Sequence, residues 1–273
     1  MGTLDGKVAF ITGAARGQGR SHAVRLAEEG ADIIGVDICD QIPTVSYPMA
    51  TRDDLDETVR LVENVGCRME AFVVDVRDAE ALADAVASGV RTLGRLDIVI
   101  ANAGIMFQGL APGRDNEAFR DAIDVMLVGV WNSIQAALPA LLDQDQGGSI
   151  VITSSVNGLK GMVAGTNGGN FGYAAAKHGV VGLMRMYANY LAPKSIRVNT
   201  VHPTGVDTPM LVGFDQSAAA INPALAQGLG NPMPVERIES IDVSNAIAWL
   251  VSDAARYVTG VALPVDAGMC NKA

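Results

Sequence analysis

The sequence offers little sulfur, little histidine and a shortage of positive charge. Its three cysteines, Cys39, Cys67 and Cys270, are odd in number and form no CxxC pair, which argues against a disulfide framework or a thiolate zinc site and fits a reduced compartment. His22, His178 and His202 have no ligand spacing, so each reads as a packed or surface residue and no metal is expected. With 20 Lys and Arg against 30 Asp and Glu the formal charge is −10, which repels nucleic acid and anionic membrane surfaces. The expected partner is a small molecule. Although 49% of residues are hydrophobic, Gly, Asp, Arg or Glu interrupts each apolar run before it reaches membrane-spanning length. No charged-then-apolar leader precedes the strand-like sequence at Lys7, and a cytoplasmic protein is expected.

What is present is an alternation of apolar β runs and helical periodicity. A chain of 273 residues fits one large α/β domain, so residues 1–273 are expected to form a single dinucleotide-binding and catalytic domain. Lys7 to Thr12 is a short apolar run passing directly into Gly13-Ala-Ala-Arg16-Gly17-Gln18-Gly19 and then a helix. This is the order of a dinucleotide-binding βα unit, in which glycines let the backbone approach a pyrophosphate at a helix N-terminus. Asp32 to Asp37 is a second strand, ending in a carboxylate that can accept hydrogen bonds from ribose hydroxyls and would repel a 2′-phosphate, so NAD is favoured over NADP.

An insertion at about 38–52, with Pro43 and Pro48 and no periodicity, follows that strand. It is either a lid over the adenosine half of the cofactor or a floppy excursion. Thr51 with Asp54 reads as the capped start of a helix near 54–65. Met69 to Val74 is a strand leading into Asp75-Val76, Ala79 to Leu93 a helix, and Leu96 to Ala101 a strand ending in Asn102-Ala103-Gly104. Glu117 to Leu142 carries the spacing of one long buried helix, and Ser149 to Ser154 is a strand. Ile196 to Val201 is another, leading to Val206 and Thr208. Residues 209–235 form a broken apolar stretch, with Met210, Leu211, Phe214, Leu225 and Met233, suited to roof a substrate pocket. Ser240 to Val251 is a helix and Val261 to Val265 a last strand. Together these imply a doubly wound parallel α/β (Rossmann) sheet with ligands at the carboxyl ends of its strands.

In Tyr173-Ala-Ala-Ala-Lys177 the phenol and ammonium stand i to i+4 on one helix face. A neighbouring cation favours phenolate, which gives tyrosine a use as a base. Thr12-Gly13-xxx-Gly17-x-Gly19, Asn102-Ala103-Gly104, a strand-end serine and Tyr173-xxx-Lys177 together resemble the short-chain dehydrogenase/reductase family. The insertion, with Tyr47-Pro48 and the helix from Asp54 to Val62, resembles the mycofactocin-associated members, which include carveol dehydrogenases. That resemblance implies a homotetramer, tightly held NAD covered by the insertion, reoxidation by an external acceptor, and oxidation of secondary alcohols. It implies Ser155, Tyr173 and Lys177 as catalytic residues, with Ser154 as the alternative serine. It places Val206 and Thr208 at the nicotinamide, in a cofactor set with Gly13, Arg16, Gly17, Gln18, Gly19, Asp37, Asp75, Val76, Asn102, Ala103, Gly104, Tyr173 and Lys177.

Two features depart from the family pattern. Ser155 and Tyr173 are further apart than is usual, the extra length falling in the glycine-rich stretch from Gly158 to Gly172. The family's tetrad asparagine falls at Met126, whose thioether has no N–H, and Asn132 lies on another face of the helix. The expected activity is NAD-dependent interconversion of a hydrophobic secondary alcohol, carveol-like or otherwise cyclic, with its ketone. The alternatives are an NAD-binding redox sensor or scaffold with weak catalysis, and an acyl-thioester ketoreductase using NADPH, which Asp37 opposes.

Overall fold

Apolar runs become interior strands here because both of their faces are covered. Every residue of β1 (Val8–Thr12) and of β4 (Ile98–Ala101) is buried, as a parallel sheet sandwiched between helices requires. The computed structural model describes residues 2–108, 110–162, 165–211 and 230–272. Among them the other strands are β2 (Asp32–Asp37), β3 (Met69–Val73), β5 (Gly148–Thr153), β6 (Ile196–Pro203) and β7 (Ala262–Val265). They form one seven-stranded sheet in the order β3-β2-β1-β4-β5-β6-β7. All six pairings are parallel. The order reverses between β1 and β4, the switch point where such sheets open a crevice.

Helices α1 (Gly17–Glu28), α2 (Arg52–Asn64), α3 (Ala79–Leu93), α4 (Asp115–Ile123), α5 (Gly129–Gln144), α6 (Gly168–Leu191) and α7 (Ser240–Val251) cover the sheet. Alternation along β1 divides the core in two. Val8 and Phe10 face the layer containing Leu82 of α3, Ile134 of α5 and Val180 of α6, while Ala9 and Ile11 face Leu26 of α1, Leu55 of α2 and Ile247 of α7. Period-two side chains on a strand feed two layers at once.

The expected elements lie where their patterns place them, with ends moved by a few residues. The capped start at Thr51 is a full capping box, Thr51 and Asp54 bonding reciprocally. The long helix expected from Glu117 to Leu142 is instead α4 and α5 joined by a π-helical turn, Asp124–Val128. The wider turn rotates the register of α5 relative to α4. Gly129 closes that turn against Val76, whose Cγ2 a Cβ at 129 would meet at 2.6 Å. Asn132 then donates its amide to the Val76 carbonyl at 3.0 Å, so it faces β3's end and not the position of Met126. The stretch from Asp115 to Gln144 is apolar enough by composition to cross a membrane, yet Val130, Ile134, Ala137 and Leu141 are buried in the core of this fold.

The insertion after β2 packs down. Ile42, Val45 and Tyr47 join the core, Thr44 donates to Asp121 at 2.5 Å and Ser46 to the Gln108 carbonyl at 2.5 Å. Arg114 reaches the Pro43 carbonyl, and Gln41 closes the insertion on itself through the Val45 carbonyl at 2.8 Å. Of the expected roof at 209–235, residues 212–229, including Phe214 and Leu225, lie outside the described residues.

Replacing Asn132 by Ala leaves the Val76 carbonyl unpaired in a buried position. Chemical denaturation of the variant is expected to show a loss of about 1–3 kcal/mol, and an unchanged midpoint would contradict this role for the amide.

Candidate active site

The site begins with the start of α6. Asn167 caps it, accepting from Asn170 N at 3.0 Å, and one turn later Tyr173 and Lys177 share a face, with Lys177 Nζ 5.6 Å from the Tyr173 ring centroid. Lys177 is buried, and Nζ donates to the Thr153 carbonyl at the end of β5 at 2.7 Å. Burial pulls the ammonium down to about 8. Burial also pushes the Tyr173 phenol up, opposed by its hydrogen bond with the Ser155 hydroxyl. The lowering of the phenol expected from Lys177 is not found: desolvation, which disfavours both charged forms, sets the direction of both shifts.

The two candidate serines differ in their commitments. Ser154 donates to the Lys177 carbonyl at 2.9 Å, bracing β5 against α6. Ser155 presents its Oγ beside Tyr173 and accepts from Asn157 N at 3.2 Å. His202, buried on β6, bonds the Ser155 carbonyl through Nδ1 at 2.7 Å and Thr200 through Nε2 at 2.8 Å. Burial lowers its pKa, so it is a neutral brace behind the serine. His22 is likewise packed, at 2.8 Å from Ser244, and burial holds it at about 3.

A cleft at the β1/β4 switch point gathers Gly13, Arg16, Gly17, Gln18, Gly19, Asp37, Asp75, Val76, Asn102, Ala103, Gly104 and Thr208. Its glycines are there for space: a Cβ on Gly19 would lie 1.8 Å from the Gly13 carbonyl, and Gly13 itself has φ +68 with Ala103 Cα 3.0 Å from its missing Cβ. Asp37 accepts from Ala15 N at 3.0 Å and Cys39 N at 3.3 Å. Burial pushes its carboxyl up, and these hydrogen bonds oppose the shift. Asn102 ties three strand ends together, donating to the Thr12 carbonyl at 3.1 Å and accepting from Thr153 at 3.3 Å. The Asp75 carboxylate is held by Arg77.

A second pocket adjoins the first through Gln18, Thr208 and Met210. Ser155, Tyr173 and Val206 line it together with Met106, Met162, Leu211 and Met269. It holds the described start of the expected roof, whereas Met233 is 58% exposed. Met126 is fully buried, with Sδ 3.6 Å from where a Gly104 Cβ would stand and Lys177 Nζ 3.8 Å from the same point. The thioether at the position where the resemblance expects the tetrad asparagine thus lies near the lysine.

Several lining residues are not among the expected site residues. Ile42, Tyr47 and Met49 of the insertion border the first cleft. Arg16 anchors the insertion through the Pro48 carbonyl, and the Tyr47 hydroxyl accepts from Met106 N at 3.3 Å. Tyr47-Pro48 was the visible signal. Arg20 of α1 and Thr58 of α2, which hold the Ala15 carbonyl at 2.6 Å and 2.9 Å and so brace the glycine turn, have none.

The family model described as enoyl-(acyl carrier protein) reductase matches residues 13–270. An uncharacterized oxidoreductase of Mycobacterium tuberculosis is 55% identical over 98% of both chains. The (−)-trans-carveol dehydrogenase of Rhodococcus erythropolis is 49% identical over 98% of this chain and 99% of its own. The crystal structure of carveol dehydrogenase from Mycobacterium avium in complex with NAD covers 100% of both chains at 50% identity, with a TM-score of 0.90. The chain belongs to the short-chain dehydrogenase/reductase family and is closely related to its carveol-dehydrogenase-like members.

Proposed function

We propose that this protein is an NAD-dependent oxidoreductase interconverting a hydrophobic cyclic or terpenoid secondary alcohol and its ketone. The observation that carries the reading is Ser155 and Tyr173 opening onto a largely apolar pocket beside the glycine-lined cleft, with Lys177 buried next to the Tyr173 ring. The relatives named for carveol dehydrogenase support the substrate class, and the one solved with NAD supports the cofactor.

The residues of the cleft fit a dinucleotide. Gly13, Gly17 and Gly19 leave room at the N-terminus of α1 for a pyrophosphate, with Arg16 and Gln18 beside them. Asp37 receives the adenosine ribose, its carboxylate disfavouring a 2′-phosphate. Asp75 and Val76 would border the adenine, Asn102, Ala103 and Gly104 the middle of the dinucleotide, and Val206 and Thr208 the carboxamide end. Bound NAD supplies the hydride acceptor for oxidation. Ser155 holds the substrate oxygen, Tyr173 takes its proton as general base, and Lys177 bonds the nicotinamide ribose while stabilising the phenolate. Because that phenolate forms in a desolvated pocket, the ammonium acts on it with little screening.

The insertion at 38–52 serves as the cofactor lid. Its anchors on Asp121, Gln108, Arg16 and Arg114 support retention of NAD between turnovers, with mycofactocin as the external acceptor that reoxidises it. The exposed apolar residues Trp131, Phe171, Met186 and Tyr190 on α5 and α6 support assembly as a homotetramer, and the three free cysteines support a cytoplasmic setting.

Tyr173→Phe is expected to lower kcat for a series of cyclic secondary alcohols by roughly 10²-fold or more, measured by steady-state turnover with the alcohol varied; wild-type rates would refute the assignment. Oxidation needs one proton lost from the Tyr173 and Lys177 pair, whose first macroscopic step tracks the lysine's fall to about 8. The oxidation rate should therefore rise with pH through about 8, while ketone reduction, which needs the proton present, should fall over the same range. A flat profile in both directions would contradict the pair's role. Met126→Asn restores an amide behind Lys177 and is expected to raise kcat or sharpen that pH profile; no change in either would show that proton escape does not limit turnover.

A further inference from the structure

Asn157 stands two residues after Ser155, on the single 3-10 turn Val156–Gly158. That turn is held firmly: the Asn157 N–H donates to Ser155 Oγ at 3.2 Å, and Gly158 packs so closely that a Cβ there would lie 2.3 Å from Ser154 Oγ and 2.6 Å from the Lys177 carbonyl. The backbone of Asn157 is consequently held by contacts with Ser155 and its neighbours. Asn157 is only 9% exposed, and its Oδ1 is buried without a hydrogen-bond partner among the described residues. It borders the substrate pocket and also a smaller recess lined by Met106, Met162, Phe171 and Tyr173.

A buried carbonyl oxygen without a donor is costly, and native proteins keep such groups where a ligand completes them. The surroundings of Asn157 supply no such donor among the described residues. The Asn170 amide donates to the Phe107 carbonyl at 3.2 Å and not to Asn157, Met106 and Met162 have no side-chain donor, and the Tyr173 hydroxyl belongs to the chemistry. Gln18 also has an unpartnered Oε1, but it lies at the seam with the cofactor cleft, where cofactor groups approach.

We propose that Asn157 is a specificity-determining residue that accepts a hydrogen bond from a second hydroxyl of the substrate, one carried on the same ring or chain as the alcohol held by Ser155 and Tyr173. The inference rests on the oxidoreductase reading and narrows its substrate class to secondary alcohols bearing a further O–H donor, such as diols, and to the hydroxyketones they form. Sites built to bond a substrate hydroxyl discriminate against the analogue lacking it far more strongly than apolar pockets discriminate by size.

The test compares kcat/KM for the cyclohexanediol isomers with that for cyclohexanol in wild type, Asn157→Leu and Asn157→Asp. Wild type should prefer at least one diol by about tenfold or more. Asn157→Leu should lower the ratio of that diol to cyclohexanol by a similar factor, chiefly through KM, and Asn157→Asp, which keeps an oxygen acceptor and the side-chain shape, should retain the preference. An equal fall on both substrates in the leucine variant, or no preference in wild type, overturns the role of Asn157 while leaving the enzyme reading intact. Failure of wild type to oxidise any of these alcohols, with bound NAD present, overturns both.

Discussion

A lysine ammonium buried at the end of β5, with the Thr153 carbonyl as its hydrogen-bond partner, is the constraint around which the site is arranged. Burial without a carboxylate costs the charged form, and the fall to about 8 expresses that cost. Placing the Tyr173 phenol in the same pocket raises the cost of a second charge. Neither group is comfortable ionised alone, so a phenolate is best tolerated in that pocket beside the ammonium. An oxidation that must accept one proton and stabilise a transient anion needs such a pair.

The rest of the molecule keeps that pair and the cofactor cleft in register. Asn102 binds the ends of β1, β4 and β5 into one rim. From below, Arg20 and Thr58 fix the Ala15 carbonyl within the glycine turn, and from above Arg16 fastens the insertion to it. His202 steadies the backbone of Ser155 while remaining neutral. The π turn at Asp124–Val128 holds Met126 near Lys177, so the position that the resemblance gives to the tetrad asparagine lies within an irregular helix and not in a regular one. Irregular turns of this kind recur at functional sites.

Much of this was legible in the chain itself for local reasons. β1 and β4 announce themselves as unbroken apolar runs, Thr51 with Asp54 as a capping box, and Tyr173 with Lys177 as a face-sharing pair, because each signal lies within a few residues. What escaped depends on contacts between distant residues. The π turn leaves the apolar spacing of Glu117 to Leu142 almost unchanged, and it is revealed by Gly129 meeting Val76. The path of the insertion is set by Thr44 on Asp121 and Ser46 on Gln108, partners that no local pattern couples to it. Ser154 and Ser155 are adjacent and identical in type; their hydrogen bonds, one to the Lys177 carbonyl and one beside the phenol, separate them.

Redox chemistry by the phenol and ammonium on α6, acting on an alcohol beside tightly held NAD, is the central claim. The most direct measurement adds a cyclic secondary alcohol to the protein as isolated, without supplied cofactor, and monitors nicotinamide absorbance through a single turnover. Reduction of bound NAD approaching one equivalent per chain is the predicted result. Retained NAD that no cyclic secondary alcohol reduces would contradict it.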